Sequence, residues 1–214
     1  MDPATESVSH PVFARFFARV ATRSERRGQV ALRQELLAGL SGRVIEIGAG
    51  NGLNFPHYPA EVEELVAIEP EPYLRARAVE AAQRASITIH VREGNANRVP
   101  EGDRTFDAAV VSGVLCSVPD PEAALRELWR VLRPGGELHF YEHVRASGSS
   151  RAFYQDAVNL LWPRLMGGCH PNRDTLTAIE LAGFSIASCR RLMFPARAHA
   201  SPVAPRILGV ALRS

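Results

Sequence analysis

A run of alternate glycines directly after an apolar segment is the first feature of this sequence that could hold a ligand. The segment at 44–47 reads Val-Ile-Glu-Ile, and Gly48, Gly50 and Gly52 follow it. Glycines in such a turn let the backbone approach a ligand closely and adopt dihedral angles that are closed to other residues. The same pattern also fits an ordinary tight turn between a strand and a helix, so the loop alone does not decide.

An acidic residue further along the chain indicates that the ligand carries a ribose. Glu69 ends the second apolar segment, about 20 residues after the first glycine, where a carboxylate can accept hydrogen bonds from two ribose hydroxyls. A surface glutamate at a strand end is the alternative. Leu53 replaces the third glycine of the dinucleotide fingerprint, which argues against a pyrophosphate on the next helix and against a nicotinamide-dependent oxidoreductase.

Three later motifs extend the pattern. Glu93-Gly94-Asn95-Ala96 follows the third apolar segment, residues 106–112 form a fourth, and residues 125–136 end in Arg-Pro-Gly-Gly. Together with the glycine loop, they resemble class I S-adenosylmethionine-dependent methyltransferases over roughly residues 40–145. The resemblance implies S-adenosyl-L-methionine as the cofactor, with the glycines against its methionine part and Asn95 at the adenine amino group. It assigns cofactor contacts to Glu46, Gly48, Ala49, Gly50, Asn54, Glu69, Pro70, Asn95, Ala96 and Ser112.

A narrower resemblance concerns the methyltransferase-like 7 family and its bacterial relatives. Animal members of that family act on alkyl thiols and sit on membranes through an N-terminal apolar helix. Residues 1–11 of this chain hold no apolar stretch, so membrane residence is not implied. The regions that face the acceptor are the least similar, so an O, S, N or C nucleophile stays open. The motifs that carry the resemblance are residues 51–55 with 58–59, 115–118, 142–144, and Gly168-Cys169 with Arg173.

Methyl transfer depends mainly on positioning and on exclusion of water, and a base is needed only for a nucleophile whose proton has a high pKa. His143 follows the predicted fifth strand, at the sheet edge where ligands bind, and is the candidate catalytic residue. It is either a base for a hydroxyl or thiol, or a histidine that fixes a loop. Cys116 is interpreted as a buried, inert thiol. Cys169, His170 and His199 have no recognised metal-ligand spacing, so no metal is expected.

Alternating strands and helices must position these residues. Helical patterns separate apolar runs at 43–47, 65–68, 87–91, 106–112 and 137–141, which predicts a mostly parallel sheet with helices on both faces. Two final runs at 184–189 and 206–212 lack a clear helix between them and predict an antiparallel hairpin at one edge. The predicted fold class is α/β, a Rossmann-like three-layer sandwich with a seven-stranded, mostly parallel sheet and an antiparallel last strand.

The N-terminal part has the pattern of two helices. The second helix should run from about Glu25 to Leu40, and the first is expected either as a lid over the cofactor or as a helix packed on the domain. We expect one domain, with N-terminal helices in 1–41, a cofactor-binding core in 42–145, and an acceptor-pocket segment with the final strands in 146–214. Trp162 and Met166 fall where the family builds its acceptor pocket, or are ordinary core. The first helix is indicated by Phe13, Phe16, Phe17 and Val20.

Composition narrows the class of partner. The 214 residues include 25 basic residues, all arginine, against 23 acidic ones, and the arginines are scattered, so no nucleic-acid surface is expected. Three cysteines form no disulfide framework and indicate reduced thiols in a cytoplasm. No segment has the length of apolar chain that a membrane span needs. We therefore expect a cytoplasmic enzyme with a small-molecule acceptor and an undetermined oligomeric state; a cofactor-binding protein or a non-methylating catalyst on the same fold remains the alternative.

Overall fold

The computed structural model describes residues 14, 15, 18, 25–196, 198 and 200–214. Ala14, Arg15 and Ala18 are helical. The prediction of a lid helix rests on residues that lie outside the described part of the chain. His199 also lies outside it. The lid residues in question are Phe13, Phe16, Phe17 and Val20.

Seven strands and six helices make up the described chain. The strands are β1 (Gly42–Ile47), β2 (Val62–Ile68), β3 (Ile89–Arg92), β4 (Phe106–Ser112), β5 (Leu132–His143), β6 (Phe184–Met193) and β7 (Pro205–Arg213). The helices are α1 (Val30–Leu37), α2 (Pro72–Ala82), α3 (Pro121–Val131), α4 (Ser149–Asn159), α5 (Trp162–Leu165) and α6 (Thr175–Leu181). A π-helical turn at Glu25–Gln29 precedes α1, and a 3₁₀ turn occupies Phe55–His57.

All seven strands form one sheet in the order β3-β2-β1-β4-β5-β7-β6. Strands β1 to β5 pair in parallel, and β7 pairs antiparallel with both β5 and β6. The predicted α/β class, the mostly parallel sheet and the antiparallel last strand are therefore confirmed. Because the chain order reverses between β1 and β4, the carboxyl ends of these two strands flank the crevice where open α/β sheets bind ligands.

Local sequence explains the best-defined helix. The Asp120 carboxylate caps α3 by accepting a hydrogen bond from the backbone N–H of Ala123 at 2.9 Å, and Pro121 occupies the first helical position. The helix buries one face on the sheet through Ala124, Leu125, Leu128 and Val131. On the opposite face of the sheet, α1 contributes Leu32, Leu36 and Leu37 to a second apolar cluster. The sheet is therefore covered on both sides, as a central strand with a buried run from Ala108 to Val111 requires.

The largest differences from the predicted bounds concern two helices and one strand. The helix expected from about Glu25 to Leu40 is broken at Gly28, which has a φ of 98°, so only Val30–Leu37 is α-helical. The pattern of residues 152–165 also predicts one continuous helix, but the segment splits into α4 and α5, since Pro163 has no N–H to donate to the preceding turn. Strand β5 starts at Leu132, ahead of the Pro-Gly-Gly turn that was expected to precede it.

Among the described residues, no helix is long and apolar enough to cross a membrane.

Candidate functional site

The glycine loop forms a tight turn at the end of β1. Gly48 and Gly50 have φ values of 70° and 59°, in the left-handed region that favours glycine. A Cβ at Gly48 would lie 2.6 Å from Cγ2 of Val114, so this position also has no room for a side chain. The Gly48 N–H donates to the carbonyl of Ile68 at the end of β2, at 2.8 Å. The backbone of the turn is thus closely packed between β2 and the loop after β4.

Glu69 holds this turn in place. Its buried carboxylate accepts hydrogen bonds from the backbone N–H groups of Gly50 at 2.7 Å and Glu71 at 2.9 Å. Burial raises the pKa of Glu69, and the two N–H donors oppose that effect. The assignment of Glu69 to the ribose hydroxyls stays a prediction, and the structure adds a second role, because the same carboxylate fixes the conformation of the glycine turn.

A chain of buried polar side chains begins at Glu46 on β1. Its carboxylate accepts hydrogen bonds from Asn54 Nδ2 at 2.6 Å and from the Tyr58 hydroxyl at 2.9 Å. Arg33 of α1 donates from Nη1 to Asn54 Oδ1 at 2.6 Å and also pairs through Nε with Glu25. Burial raises the pKa of Glu46 from 4.5 to about 7, although the two donors and the Arg33 charge oppose the shift.

A cavity of about 250 Å³ collects most of the predicted site residues. The lining also includes residues that the sequence analysis did not predict. One of them is Arg33, which lies on α1 in a segment without a recognisable motif. The predicted residues that line it are Glu46, Gly48, Ala49, Gly50, Asn54, Ser112 and His143. On the acceptor side the lining includes Trp162, Met166 and Cys169.

Four predicted cofactor residues are not part of the lining of this cavity. Glu69 and Pro70 follow β2, while Asn95 and Ala96 follow β3. The Asn95 amide oxygen accepts hydrogen bonds from the backbone N–H groups of Asn97 and Arg98, both at 3.0 Å, and so closes a local turn. Its contact with an adenine amino group stays a prediction, and an adenine there would share that oxygen with the backbone.

The loop after β4 is held by a buried carboxylate from β5. Glu142 accepts hydrogen bonds from three successive backbone N–H groups, those of Val114, Leu115 and Cys116, at 2.8, 3.0 and 3.1 Å. Burial raises the pKa of Glu142, whereas each of the three donors lowers it. Glu142 is adjacent to His143, so one strand end both fixes the Cys116 loop and carries the candidate catalytic side chain.

A second loop, between α5 and α6, packs against the first. Arg173 donates through Nη1 to the carbonyls of Leu115 and Val118, both at 2.7 Å, and the His170 N–H donates to the Cys116 carbonyl at 2.7 Å. Gly168 has a φ of 82°, and a Cβ on it would lie 2.7 Å from the Ser117 carbonyl oxygen. Only a glycine fits this approach without displacing one of the loops.

These loops bring Cys116, His143 and Cys169 together. The two Sγ atoms are 3.8 Å apart, and Nδ1 of His143 lies 3.3 Å from Sγ of Cys116 and 3.4 Å from Sγ of Cys169. Hydrogen bonding within the cysteine pair lowers the pKa of Cys169 and raises that of Cys116. Of the histidines considered with Cys169, His170 instead contacts Asn159 Oδ1 through Nδ1 at 3.0 Å.

Known proteins match both the sequence and the fold. A family model described as a methyltransferase domain matches residues 45–140. Thiol S-methyltransferase TMT1A of Homo sapiens is 33% identical over 182 residues, which cover 82% of this chain and 73% of that protein. Thiol S-methyltransferase TMT1B of Mus musculus is 34% identical over 213 residues, covering 94% and 86%. A SAM-dependent methyltransferase from Thermotoga maritima has a similar fold, with a TM-score of 0.65 at 20% identity, covering 94% of this chain and all of that one.

Proposed function

This chain belongs to the class I S-adenosylmethionine-dependent methyltransferases, and we propose that its acceptor is a small thiol, which it methylates on sulfur. Within that class, we place it with the methyltransferase-like 7 branch. Support comes from the two TMT1 relatives, which are named thiol S-methyltransferases and align with most of the chain. The observation that carries the acceptor assignment is the cavity that adjoins the glycine turn on one side and His143 and Cys169 on the other.

The residues of the cavity fit S-adenosylmethionine. Gly48 and Gly50 line the cavity without side chains, so a ligand can approach the backbone of the turn closely. The Glu46 carboxylate and the Arg33 guanidinium complement the amino and carboxylate groups of the methionine part, and Glu69 complements the ribose hydroxyls. Bound there, the cofactor supplies an electrophilic methyl group, and the reaction forms the acceptor sulfur–carbon bond while the cofactor sulfur–carbon bond breaks and the thiol releases one proton.

The acceptor side suits a small, largely apolar thiol. Trp162 and Met166 contribute an aromatic ring and a polarisable thioether, which pack well against alkyl and sulfur groups. The indole Nε1 of Trp162 is buried and has no hydrogen-bond partner among the described residues, so it can donate to a bound ligand. His143 contributes an imidazole to the same side of the cavity, where it can orient the acceptor sulfur. A thiol needs less assistance than an alcohol, because it is partly ionised near neutral pH.

Labelled methyl transfer to matched acceptors tests the proposal. The purified protein is supplied with S-adenosylmethionine carrying a labelled methyl group and with ethanethiol, phenol or ethylamine, and the products are identified by mass spectrometry. We expect labelled ethyl methyl sulfide, and none from a Gly50→Val control in which the side chain occupies cofactor space. Methylation of phenol or ethylamine in preference to the thiol, or no transfer to ethanethiol, contradicts the thiol assignment.

A further inference from the structure

We propose that Cys116, His143 and Cys169 form a zinc site whose fourth position, open to the cavity, binds the sulfur of the acceptor thiol. The proposal rests on the thiol function proposed above and gives the three residues a specific role in it. Their chain positions conform to no metal motif, because they are 27 and 26 residues apart and come from three different loops or strand ends. Within the described residues, their three ligand atoms all lie within 4.8 Å of one another.

The interatomic distances match those of a tetrahedral zinc site. With Zn–S bonds near 2.3 Å and a Zn–N bond of 2.0–2.1 Å, tetrahedral angles place the two sulfurs about 3.8 Å apart and each sulfur about 3.6 Å from the nitrogen. The observed separations are 3.8 Å between the sulfurs, and 3.3 and 3.4 Å from Nδ1 to the sulfurs. A cation at the centre of the cluster therefore needs shifts of only a few tenths of an ångström. A disulfide, in contrast, would require the sulfurs to close to about 2.0 Å.

The surrounding residues hold the ligands rigidly, as the outer shell of a metal site does. Glu142 fixes the backbone of Cys116 through three N–H groups, and Arg173 binds two carbonyls of the same loop. Cys169 is fixed from the other side, since the neighbouring His170 N–H donates to the Cys116 carbonyl. Gly168 permits the two loops to approach this closely. These contacts determine where the ligands lie whether or not a cation is bound.

The ligand set favours zinc over harder cations. Two thiolates and one imidazole are soft or borderline ligands, which bind Zn²⁺ well and Mg²⁺ or Ca²⁺ poorly. Cys116 is fully buried and Cys169 is 6% exposed. Two bare thiolates in such a place would repel each other, whereas two thiolates with a divalent cation have no net charge. Zinc thus neutralises a pair of sulfurs that the fold forces together.

The open position explains how an acceptor is activated. Zinc sites with three protein ligands keep an exchangeable fourth position, whereas purely structural sites fill all four. His143 and Cys169 both line the cavity, while Cys116 is fully buried and is not part of the lining, so we place the unliganded side of the cation toward the acceptor. On binding, the thiol displaces a water, its sulfur bonds to zinc, and its proton leaves to solvent, because a coordinated thiol is deprotonated. His143 then serves as a ligand through Nδ1, which orients the acceptor without taking its proton.

Cobalt spectroscopy with matched variants tests the site directly. The protein, reduced with a phosphine and freed of metal by chelation, is titrated with Co²⁺ and then with Zn²⁺. We expect a single equivalent of Co²⁺ to give the intense visible bands of tetrahedral coordination and a near-ultraviolet thiolate-to-cobalt band, both abolished when Zn²⁺ displaces it. Addition of ethanethiol should shift the charge-transfer band, whereas ethanol should not.

Cysteine variants distinguish this site from adventitious binding. Cys116→Ser, Cys169→Ser and His143→Ala should each weaken Zn²⁺ binding by at least about 100-fold. Cys189→Ser is the matched control, because Cys189 is the third free cysteine and lies on β6. It should bind Zn²⁺ like the unaltered protein. Circular dichroism checks folding, and His143→Ala, which removes a side chain that is not fully buried, covers the case in which a cysteine variant does not fold.

The result also separates this inference from the proposed function. Octahedral Co²⁺ spectra, equal Zn²⁺ affinity in the variants, or formation of a Cys116–Cys169 disulfide in place of metal binding overturns the zinc site. Methylation of ethanethiol at an undiminished rate by the metal-free protein also overturns it, yet leaves the thiol function standing. The zinc site is supported if Co²⁺ binds tetrahedrally and its charge-transfer band shifts with ethanethiol. If the labelled-transfer assay then shows no methylation of ethanethiol, only the proposed thiol function is wrong.

Discussion

Replacement of Glu46 by glutamine should change how the stability of the protein depends on pH. Burial raises the pKa of Glu46 from 4.5 to about 7, so the folded protein holds this proton more tightly than the unfolded chain does. Between these two values the folded state binds more protons. The free energy of unfolding therefore falls as the pH rises through this window, and the loss is nearly complete once the pH exceeds the folded pKa.

The magnitude follows from the two pKa values. A pKa difference of one corresponds to about 1.4 kcal/mol, so ionised Glu46 costs the folded protein about 3 kcal/mol at high pH. Glutamine cannot titrate. Its amide oxygen can accept a hydrogen bond from Asn54 or Tyr58, and its NH₂ group then faces the other. The free-energy cost of this changed hydrogen bonding is the same at every pH. The free energy of unfolding of Glu46→Gln, minus that of the unaltered protein, should rise by about 2.5 kcal/mol between about pH 5 and about pH 8.

Urea unfolding of cofactor-free protein at a series of pH values measures this difference. Glu63→Gln provides the control for the removal of one carboxylate, because Glu63 lies on the adjacent strand β2 and its side chain is exposed. A difference for Glu46→Gln that stays constant with pH, or that falls as the pH rises, would refute the argument from burial.

Three further substitutions test other parts of the site. Glu69→Ala should weaken S-adenosylmethionine binding by about 1–3 kcal/mol in calorimetry, since both the ribose acceptor and the anchor of the glycine turn are lost; unchanged affinity in a folded variant would remove Glu69 from the cofactor site. Gly50→Val should abolish that binding while circular dichroism shows a retained fold, and normal binding would place the cofactor elsewhere. Gly168→Ala should lower the free energy of unfolding by about 2 kcal/mol or more, because its φ of 82° and the Ser117 carbonyl both exclude a methyl group. Gly148→Ala, at a position with no atom within 4 Å of the added carbon, is its control, and equal losses in the two variants would contradict the argument.

Much of the fold was predictable because its signals are local. Strand β4 matches the apolar run at 106–112 residue for residue, and α3 begins at Pro121 as its N-cap and proline indicate. The glycine loop was predictable as a ligand site only together with Glu69 and the later motifs, because alternate glycines alone also fit an ordinary turn. The breaks at Gly28 and Pro163 were missed because the apolar spacing continues across them.

The convergence of distant side chains was not predictable in the same way. Arg33 reaches the site only because α1 packs against β5 and the 3₁₀ turn at Phe55–His57, and nothing in the sequence around Arg33 marks it as a site residue. Cys116 and Cys169 are 53 residues apart, and their contact depends on how two loops fold over the end of β5. The sequence predicts a buried, inert thiol at Cys116, but a buried thiol that contacts a second thiol and an imidazole can bind a metal ion. The motifs at 115–118 and 168–173 are the sequence signal for this contact.

The position of β7 has a consequence for synthesis on the ribosome. Strand β6 is made before β7, but in the finished sheet β7 lies between β5 and β6 and pairs with both. A nascent chain that ends shortly after Met193 therefore has an unpaired edge on β5 and an already synthesised β6 with no strand beside it. Such edges are where growing chains associate wrongly or recruit chaperones. A single late strand pairs with both edges, so this half of the sheet is completed only after residues 205–213 emerge.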